Sequence, residues 1–480
     1  MSCRVRMVVA KQLILNEIDL RKRARMRQAR QKQLSLSADW LVFEHAKELQ
    51  AIAGLLDKHP TVAELVWQDL APKGLLNKSG AEGLSAEQVL RALIIKQLNG
   101  FSYRELAFHV VDSTSYGKFC QIAWNQRPSR SALAACIKAI RAETLEKINR
   151  LLVGIAEKNK IEDGKKVRVD TTVVESNIHP PLDSNLLWDC VRVVTRLMGD
   201  AREIVGAEVN FPNRTRRAKR RALGILNARF KEKRKPLYRD LLTVAEETLE
   251  SADRVVEVID RAVASGSMHL SDQVSAVGVR KELMHYTALA RRVMNQTERR
   301  VFKEESVPAN EKLVSIFEEH TNIIVKDHRD TFYGHKICLT SGRSTLVTDC
   351  TILEGNPADS TLAEQMIDRH IEITGRAPKQ AAYDGGFTSK ANLEAIKAKG
   401  VQDVAFSKAR TLQITDMVRS TWVYKKLRNF RAGIEATISF LKRIFGLDRC
   451  TWRSLPSFKS YVWSSIVTFN LLVIARHELA

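Results

Sequence analysis

The sequence predicts a mixed α/β protein whose sheet is flanked by helices, preceded by an all-helical region and interrupted by a long helical insertion after its first strand. Three observations carry this. The apolar period changes from 3.6 to 2 at residues 165–174 and again after Asn310, whereas residues 183 to about 307 between them keep only helical spacing. Strand and helix patterns then alternate towards the C-terminus, which is how a mixed sheet reads. Finally, 480 residues at 44% hydrophobic and 28% charged suffice for two or three folded domains.

Charge narrows the partner. Lys and Arg number 77 against 55 Asp and Glu, a formal net charge of +22, which favours a polyanion, most simply nucleic acid. An anionic membrane fits less well. No stretch reaches the roughly 18 apolar residues of a spanning helix, and residues 461–475, broken by Ser464, Ser465, Thr468 and Asn470, read as a buried amphipathic helix. The N-terminus lacks an apolar signal region, so a cytosolic protein without a membrane partner is expected. Seven cysteines contain no C-x-x-C, which argues against a zinc knuckle or a disulfide framework and for small buried apolar groups. His109, His335 and His370 sit in apolar-periodic segments without metal spacing.

Residues 1–38 form a basic arm, dense in Lys and Arg from Arg21 to Lys32, or else reflect a start codon placed upstream of Met26. Residues 39–160 read as a helical DNA-binding domain. Ser85 with Gln88, and Ser102 with Glu105, are capping boxes on either side of Asn99-Gly100, the sequence form of a helix-turn-helix or of a plain helical bundle. After Pro128, Ser129 or Ser131 caps a third helix expected to run to about Ile155, with Arg127 and Arg130 near its start as DNA contacts. The basic insertion, residues 183–307, carries Arg216, Arg217, Arg220 and Arg221 in its densest cationic run, interpreted as phosphate contacts.

On the first strand Val167, Val169, Thr171 and Val173 share one face and Arg168, Asp170 and Thr172 the other. A carboxylate in a β-branched strand is costly unless solvated, paired or bound to a cation, which makes Asp170 a candidate ligand. After Asn310 a hairpin turning at Ser341-Gly342-Arg343 is expected, then helix, strand, helix, strand. Asp384 ends a short strand beside Gly385 and Gly386, where sites form in such sheets. Farther on, Leu427, Phe430, Ile434, Ile438, Leu441 and Phe445 make a helical stripe, with Arg428, Arg431, Glu435 and Lys442 along one flank. Taken alone, Arg431 and Glu435 are an ordinary i,i+4 pair. Three carboxylates on rigid elements also suit Mg²⁺-assisted phosphodiester chemistry, which needs hard oxygen ligands.

These blocks, VDTTVVESN at 169–177, YDGGF at 383–387 and R-x3-E-x6-K at 431–442, resemble those of bacterial insertion-sequence transposases of the DDE type. The last block is similar to the Y-x2-R-x3-E-x6-K signature of one group, except that Arg428 stands at the Tyr position and Tyr424 lies a turn too early. The resemblance implies a ribonuclease H-like catalytic domain formed by 161–182 and 308–480. It also implies Asp170, Asp384 and Glu435 as catalytic ligands of two Mg²⁺ ions, with Mn²⁺ able to substitute. Arg431, Lys442 and Arg428 would contact transposon-end phosphates. The activity implied is metal-dependent cleavage and strand transfer at terminal inverted repeats, by a nucleoid-associated enzyme that is a homodimer on DNA. Another metal nuclease of that fold, or an inactive DNA-binding remnant, are the alternatives.

Overall fold

The computed structural model describes residues 43–71, 83–266, 268–326, 330–407 and 412–480, so the basic arm and Cys3 lie outside the described residues. The chain divides into two compact units, one of residues up to 175 together with 335–480, the other of residues 176–334.

In the first unit the helices are α1 (Glu44–Lys58), α2 (Thr61–Leu70), α3 (Ala86–Asn99), α4 (Tyr103–Asp112), α5 (Thr114–Phe119), α6 (Arg130–Lys138) and α7 (Ala142–Lys158). Both capping boxes form. Ser85 Oγ accepts from Gln88 N while Gln88 Oε1 accepts from Ser85 N, and Ser102 and Glu105 repeat the exchange. Gly100 ends α3 in the left-handed region at φ 66°, where a side chain would be strained. The third helix expected to reach Ile155 is instead two. Ser129 caps α6, the chain tightens at Ala139 and Ile140, and Asp69 takes the Arg141 backbone N–H at 2.8 Å, which restarts the helix as α7.

Helix α3 is buried along nearly its whole length, Arg91, Lys96 and Gln97 included. It is covered by α2, α4 and α6 and by α16 (Leu455–Leu479), which also packs on α1 and α7. A buried amphipathic helix was expected there; it is buried, but from Phe458 to Ala475 on nearly every side rather than on one face, because its polar groups are answered within the fold. Gln97 Nε2 donates to Ser464 and Ser465 at 2.8 and 3.0 Å, and Asn470 bonds both backbone groups of Val347. By length and composition α16 could cross a membrane, and in this fold nearly all of its apolar stretch is buried.

Lys96 is the unusual member of this core. Its ammonium lies over the rings of Tyr103 and Trp452, at 5.2 and 5.9 Å, with no ion pair among the described residues. Burial pushes its pKa down to about 8, with the nearby Lys138 acting in the same direction and Cys450 opposing. Below that pH the folded chain holds a desolvated charge, while the unfolded chain keeps its proton to about 10.4. The unfolded state therefore binds more protons between those values, and stability rises with pH across that window. Lys96→Met is expected to raise stability at pH 7 by about 3 kcal/mol and to flatten the rise from pH 8 to 10. Urea titrations at several pH values test this, and an unchanged pH dependence would contradict it.

The sheet of this unit runs β4 (Val347–Ile352), β3 (Asp330–Ser341), β1 (Lys166–Glu175), β5 (Gln380–Tyr383), β6 (Asp403–Phe406). Strands β1, β5 and β6 are parallel and β3 and β4 antiparallel. The β3–β4 turn spans residues 342–346 rather than three residues, since Ser341 pairs with Val347. Its cause is the buried Glu162 carboxylate, which accepts the Ser344 N–H at 2.9 Å and its hydroxyl at 2.5 Å, against a Gly342 that leaves no room for a Cβ. Helices α12 (Ala363–Thr374) and α13 (Lys390–Ala398) follow, then the short α14 (Ile414–Met417) and α15 (Thr421–Ile444), which crosses β1, β5 and β6.

The second unit is a helical core of α8 (Asp183–Val205), α9 (Thr215–Asn227), α10 (Lys231–Ala264) and α11 (Leu270–Val301). It adds β2 (Asn322–Lys326), not anticipated from the sequence, which pairs with residues 330–334 of β3. The six described cysteines are free and buried.

Candidate active site

Strand alternation points Val167 and Val169, both fully buried, into the core beneath α12 and α13, and leaves Arg168 and Asp170 on the other face, towards α15. Register places Val169 beside Tyr383, so Asp170 and Asp384 leave neighbouring strands side by side. The stripe of α15 is buried as its period requires, with Leu427, Ile434, Leu441 and Phe445 at 0 or 1% exposure and Phe430 and Ile438 packed against them.

The three sequence-predicted carboxylates meet at one side chain, Arg431. Its Nη2 donates to Asp170 Oδ2 at 3.0 Å and lies 3.2 Å from Asp384 Oδ1, and its Nη1 donates to Glu435 Oε1 at 2.7 Å. Arg431 and Asp170 are 15 and 14% exposed, whereas Glu435 is 59% exposed, so the cluster opens outward on the helix side. The Arg431 Nε, by contrast, is buried without a hydrogen-bond partner. Three carboxylates thus meet at one guanidinium in a half-buried cleft.

Among the described residues no three carboxylate, histidine or cysteine side chains are placed to enclose a metal ion, and the Arg431 guanidinium stands where the three carboxylates converge. The donor chemistry nevertheless fits a hard divalent cation: oxygen ligands on a strand, a strand end and a helix, gathered on a cationic centre.

A second buried cation fixes the helix on the strand. Arg168 is 4% exposed, donates Nη1 to the Phe430 carbonyl at 2.9 Å, lies 4.8 Å from the Phe430 ring and reaches Ser341 Oγ. Gly433 gives it the space, since a Cβ there would overlap the guanidinium. Gly433→Ala is expected to cost about 1–3 kcal/mol through overpacking, measured by denaturant unfolding. A variant as stable as wild type would mean that Arg168 has somewhere else to go.

Sequence reasoning missed two residues beside this cluster. Asp359 accepts from Thr171 Oγ1 at 3.1 Å, pairs with Lys336 at 2.6 Å and faces Gly386, while the Thr171 N–H donates to Asp170 at 2.8 Å. Thr171 therefore links a fourth carboxylate to the first. Asp359 lies in a turn sequence with no periodicity to mark it; Lys336, a charge inside a strand, offered the same kind of signal as Asp170.

The predicted DNA-contacting cations are spread more widely. Arg428 is exposed on α15, and Lys442 pairs with Asp448 at 3.3 Å rather than with the carboxylate cluster. Arg127 bonds the Trp124 and Gln126 carbonyls, and Arg130 is exposed at the start of α6. In the second unit, Arg217 and Arg221 both pair with Asp240 of α10 and Arg214 pairs with Glu247, whereas Arg216 and Arg220 are exposed one turn apart. The cationic run of α9 is thus partly neutralised by the next helix.

Residues 321–471 match the family model described as a transposase DDE domain. The match includes Asp384, Arg431 and Glu435 and begins well after Asp170. No curated protein and no solved structure matches the chain.

Proposed function

Starting from the transposase DDE domain at residues 321–471, we propose that this protein binds the terminal inverted repeats of an insertion sequence and catalyses DNA cleavage and strand transfer there. The observation that carries the proposal is the convergence of Asp170, Asp384 and Glu435, drawn from three separate elements, on Arg431. A ribonuclease H-like core is supported by the strand order, with the first carboxylate on the central strand, the second after its parallel neighbour and the third on the helix that crosses both.

Asp170, Asp384 and Glu435 would hold divalent ions, two Mg²⁺ in the full assembly or Mn²⁺ in their place. When bound, such ions neutralise the scissile phosphate and acidify an attacking water or 3′-hydroxyl. The protein's own part is to keep the three carboxylates in register. Arg168 seats α15 on β1, Thr171 and Asp359 hold the β1 edge, and the Gly385-Gly386 turn lets a DNA backbone come close to Asp384. Arg431, drawn to a phosphate, donates paired hydrogen bonds to it.

End recognition falls to the helices of residues 85–150, with Arg127 and Arg130, and to α9. Here the pairing pattern sharpens the expectation. Arg216→Gln with Arg220→Gln should lower the slope of log affinity against log salt by about 0.9 for each phosphate that is no longer neutralised, whereas Arg217→Gln with Arg221→Gln should change it less, because Asp240 engages both guanidiniums and offsets one of their two charges. Equal effects of the two pairs in filter-binding titrations would reject the distinction. A homodimer on DNA and a cytoplasmic, nucleoid-associated location follow from the reaction class.

The deciding experiment is cleavage of inverted-repeat DNA in Mg²⁺ by wild type, Asp384→Ala and Glu435→Gln. Wild-type rates in either variant would end the proposal. A pre-cut end offered with target DNA separates strand transfer from simple hydrolysis.

A further inference from the structure

We infer that the cavity bounded by Lys166, Gln380, Arg419, Trp422 and Lys426 binds an unpaired nucleotide of a DNA strand. Its volume is about 360 Å³, within the range of small-molecule sites. It is a different place from the carboxylate cluster. Lys166 and Gln380 face each other at the starts of β1 and β5, four residues before Asp170 and Asp384, a distance of about 13 Å along a strand. On α15, Trp422 lies half a helical turn round from Arg431, so the two sites use opposite flanks of one helix.

The site is built rather than incidental. Asp403, 1% exposed, accepts from Gln380 Nε2 at 2.8 Å, from the Arg419 backbone N–H at 3.2 Å and from Arg419 Nη2 at 2.9 Å. One buried carboxylate therefore orients two of the lining side chains, and the Arg419 guanidinium still reaches solvent with the rest of its donors. Val423 and Leu427 make an apolar floor. Trp422 is 65% exposed, and the Lys426 ammonium stands 4.7 Å from the centre of its ring. Neither Lys166 nor Lys426 has a carboxylate partner among the described residues, so three cations face one acid that Arg419 and Gln380 already satisfy.

A flat exposed ring beside an apolar floor takes another flat ring, and unanswered cations around it take phosphate. A nucleotide offers both, and stacking on an aromatic side chain together with backbone charge is how single strands are held without sequence preference. A base in a duplex is unavailable, since its faces are already stacked. An acidic peptide would satisfy the cations and leave the indole exposed.

The experiment titrates full-length protein with the octanucleotide dT8 in EDTA, following tryptophan fluorescence, so that it does not depend on cleavage or on bound metal. The expected result is quenching that Trp422→Phe abolishes, affinity about tenfold weaker in Trp422→Ala, and a salt slope lowered by about 0.7 per phosphate in Lys166→Gln with Lys426→Gln. Circular dichroism of each variant checks the fold, and Trp422→Phe keeps an aromatic ring should the alanine variant not fold. Unchanged dT8 affinity in folded Trp422→Ala overturns the inference, as does polyglutamate binding as tightly as dT8 at the same salt. Loss of cleavage in Asp384→Ala with no dT8 binding by wild type would reject this site and leave the proposed function standing; dT8 binding without any cleavage activity would do the reverse.

Discussion

Asp170→Ala is expected to lower inverted-repeat cleavage by about 10³-fold or more while DNA binding stays near wild type, since several kcal/mol of charge stabilisation at the reacting phosphate would go with one ligand. Asp170 is also the least exposed carboxylate on Arg431, 14% against 39% for Asp384 and 59% for Glu435, so its loss affects the fold as well. Removing it leaves a guanidinium held only by the two more exposed acids, and a stability loss of about 1–2 kcal/mol should accompany the loss of activity, below the 3–5 kcal/mol of a fully buried pair because solvent reaches the other two. Asp170→Asn separates the effects: it keeps an acceptor for Arg431 and should recover part of the stability without recovering cleavage. Gel-shift, cleavage and urea unfolding on the same three proteins check this, and parallel recovery of both properties in Asp170→Asn would refute a ligand role.

The second large effect concerns Arg431. Its guanidinium occupies the centre on which all three carboxylates converge, so it competes with any other cation in the absence of DNA. Arg431→Gln is expected to tighten Mn²⁺ binding by the free protein by about one to two orders of magnitude. That equals roughly 1.4–2.8 kcal/mol, the scale of one charge-assisted hydrogen bond in a half-buried setting. The same substitution should weaken binding to end DNA, since the phosphate donor is gone. Electron paramagnetic resonance of free Mn²⁺ during titration gives the first quantity directly. If Arg431→Gln binds Mn²⁺ no better than wild type, the guanidinium does not hold the carboxylates against a divalent ion.

Much of this geometry was legible in the sequence because it is local or periodic. The capping boxes at Ser85 and Ser102 depend on residues three apart, and the stripe from Leu427 to Phe445 on a single repeat. Asp170 stood out as a charge in an apolar strand, Asp384 as an acid before two glycines, and Glu435 through its flank. What escaped is set by residues far apart in the chain. Glu162 lengthens the β3–β4 turn from some 180 residues away, Asp69 restarts the helix at Arg141, and Asp240 and Glu247 cancel part of a cationic run on a neighbouring helix. The role of Arg431 was anticipated only in part: its i,i+4 pairing with Glu435 is local, whereas its bonds to Asp170 and Asp384 require the sheet to have formed.

Helix α16 sets the order in which the first unit can be completed. Helices α1, α3 and α7 are made early and are covered by a segment synthesised more than 290 residues after the last of them. Until Leu455–Leu479 has left the ribosome, the side of α3 that α16 covers and the Gln97 amide lack their final partners, although α2, α4 and α6 already pack on the helix, and contacts of such sequence separation form slowly. A chain interrupted before Leu455 would therefore lose more than a terminal helix. Its N-terminal helices would keep one apolar side uncovered and open to aggregation or proteolysis.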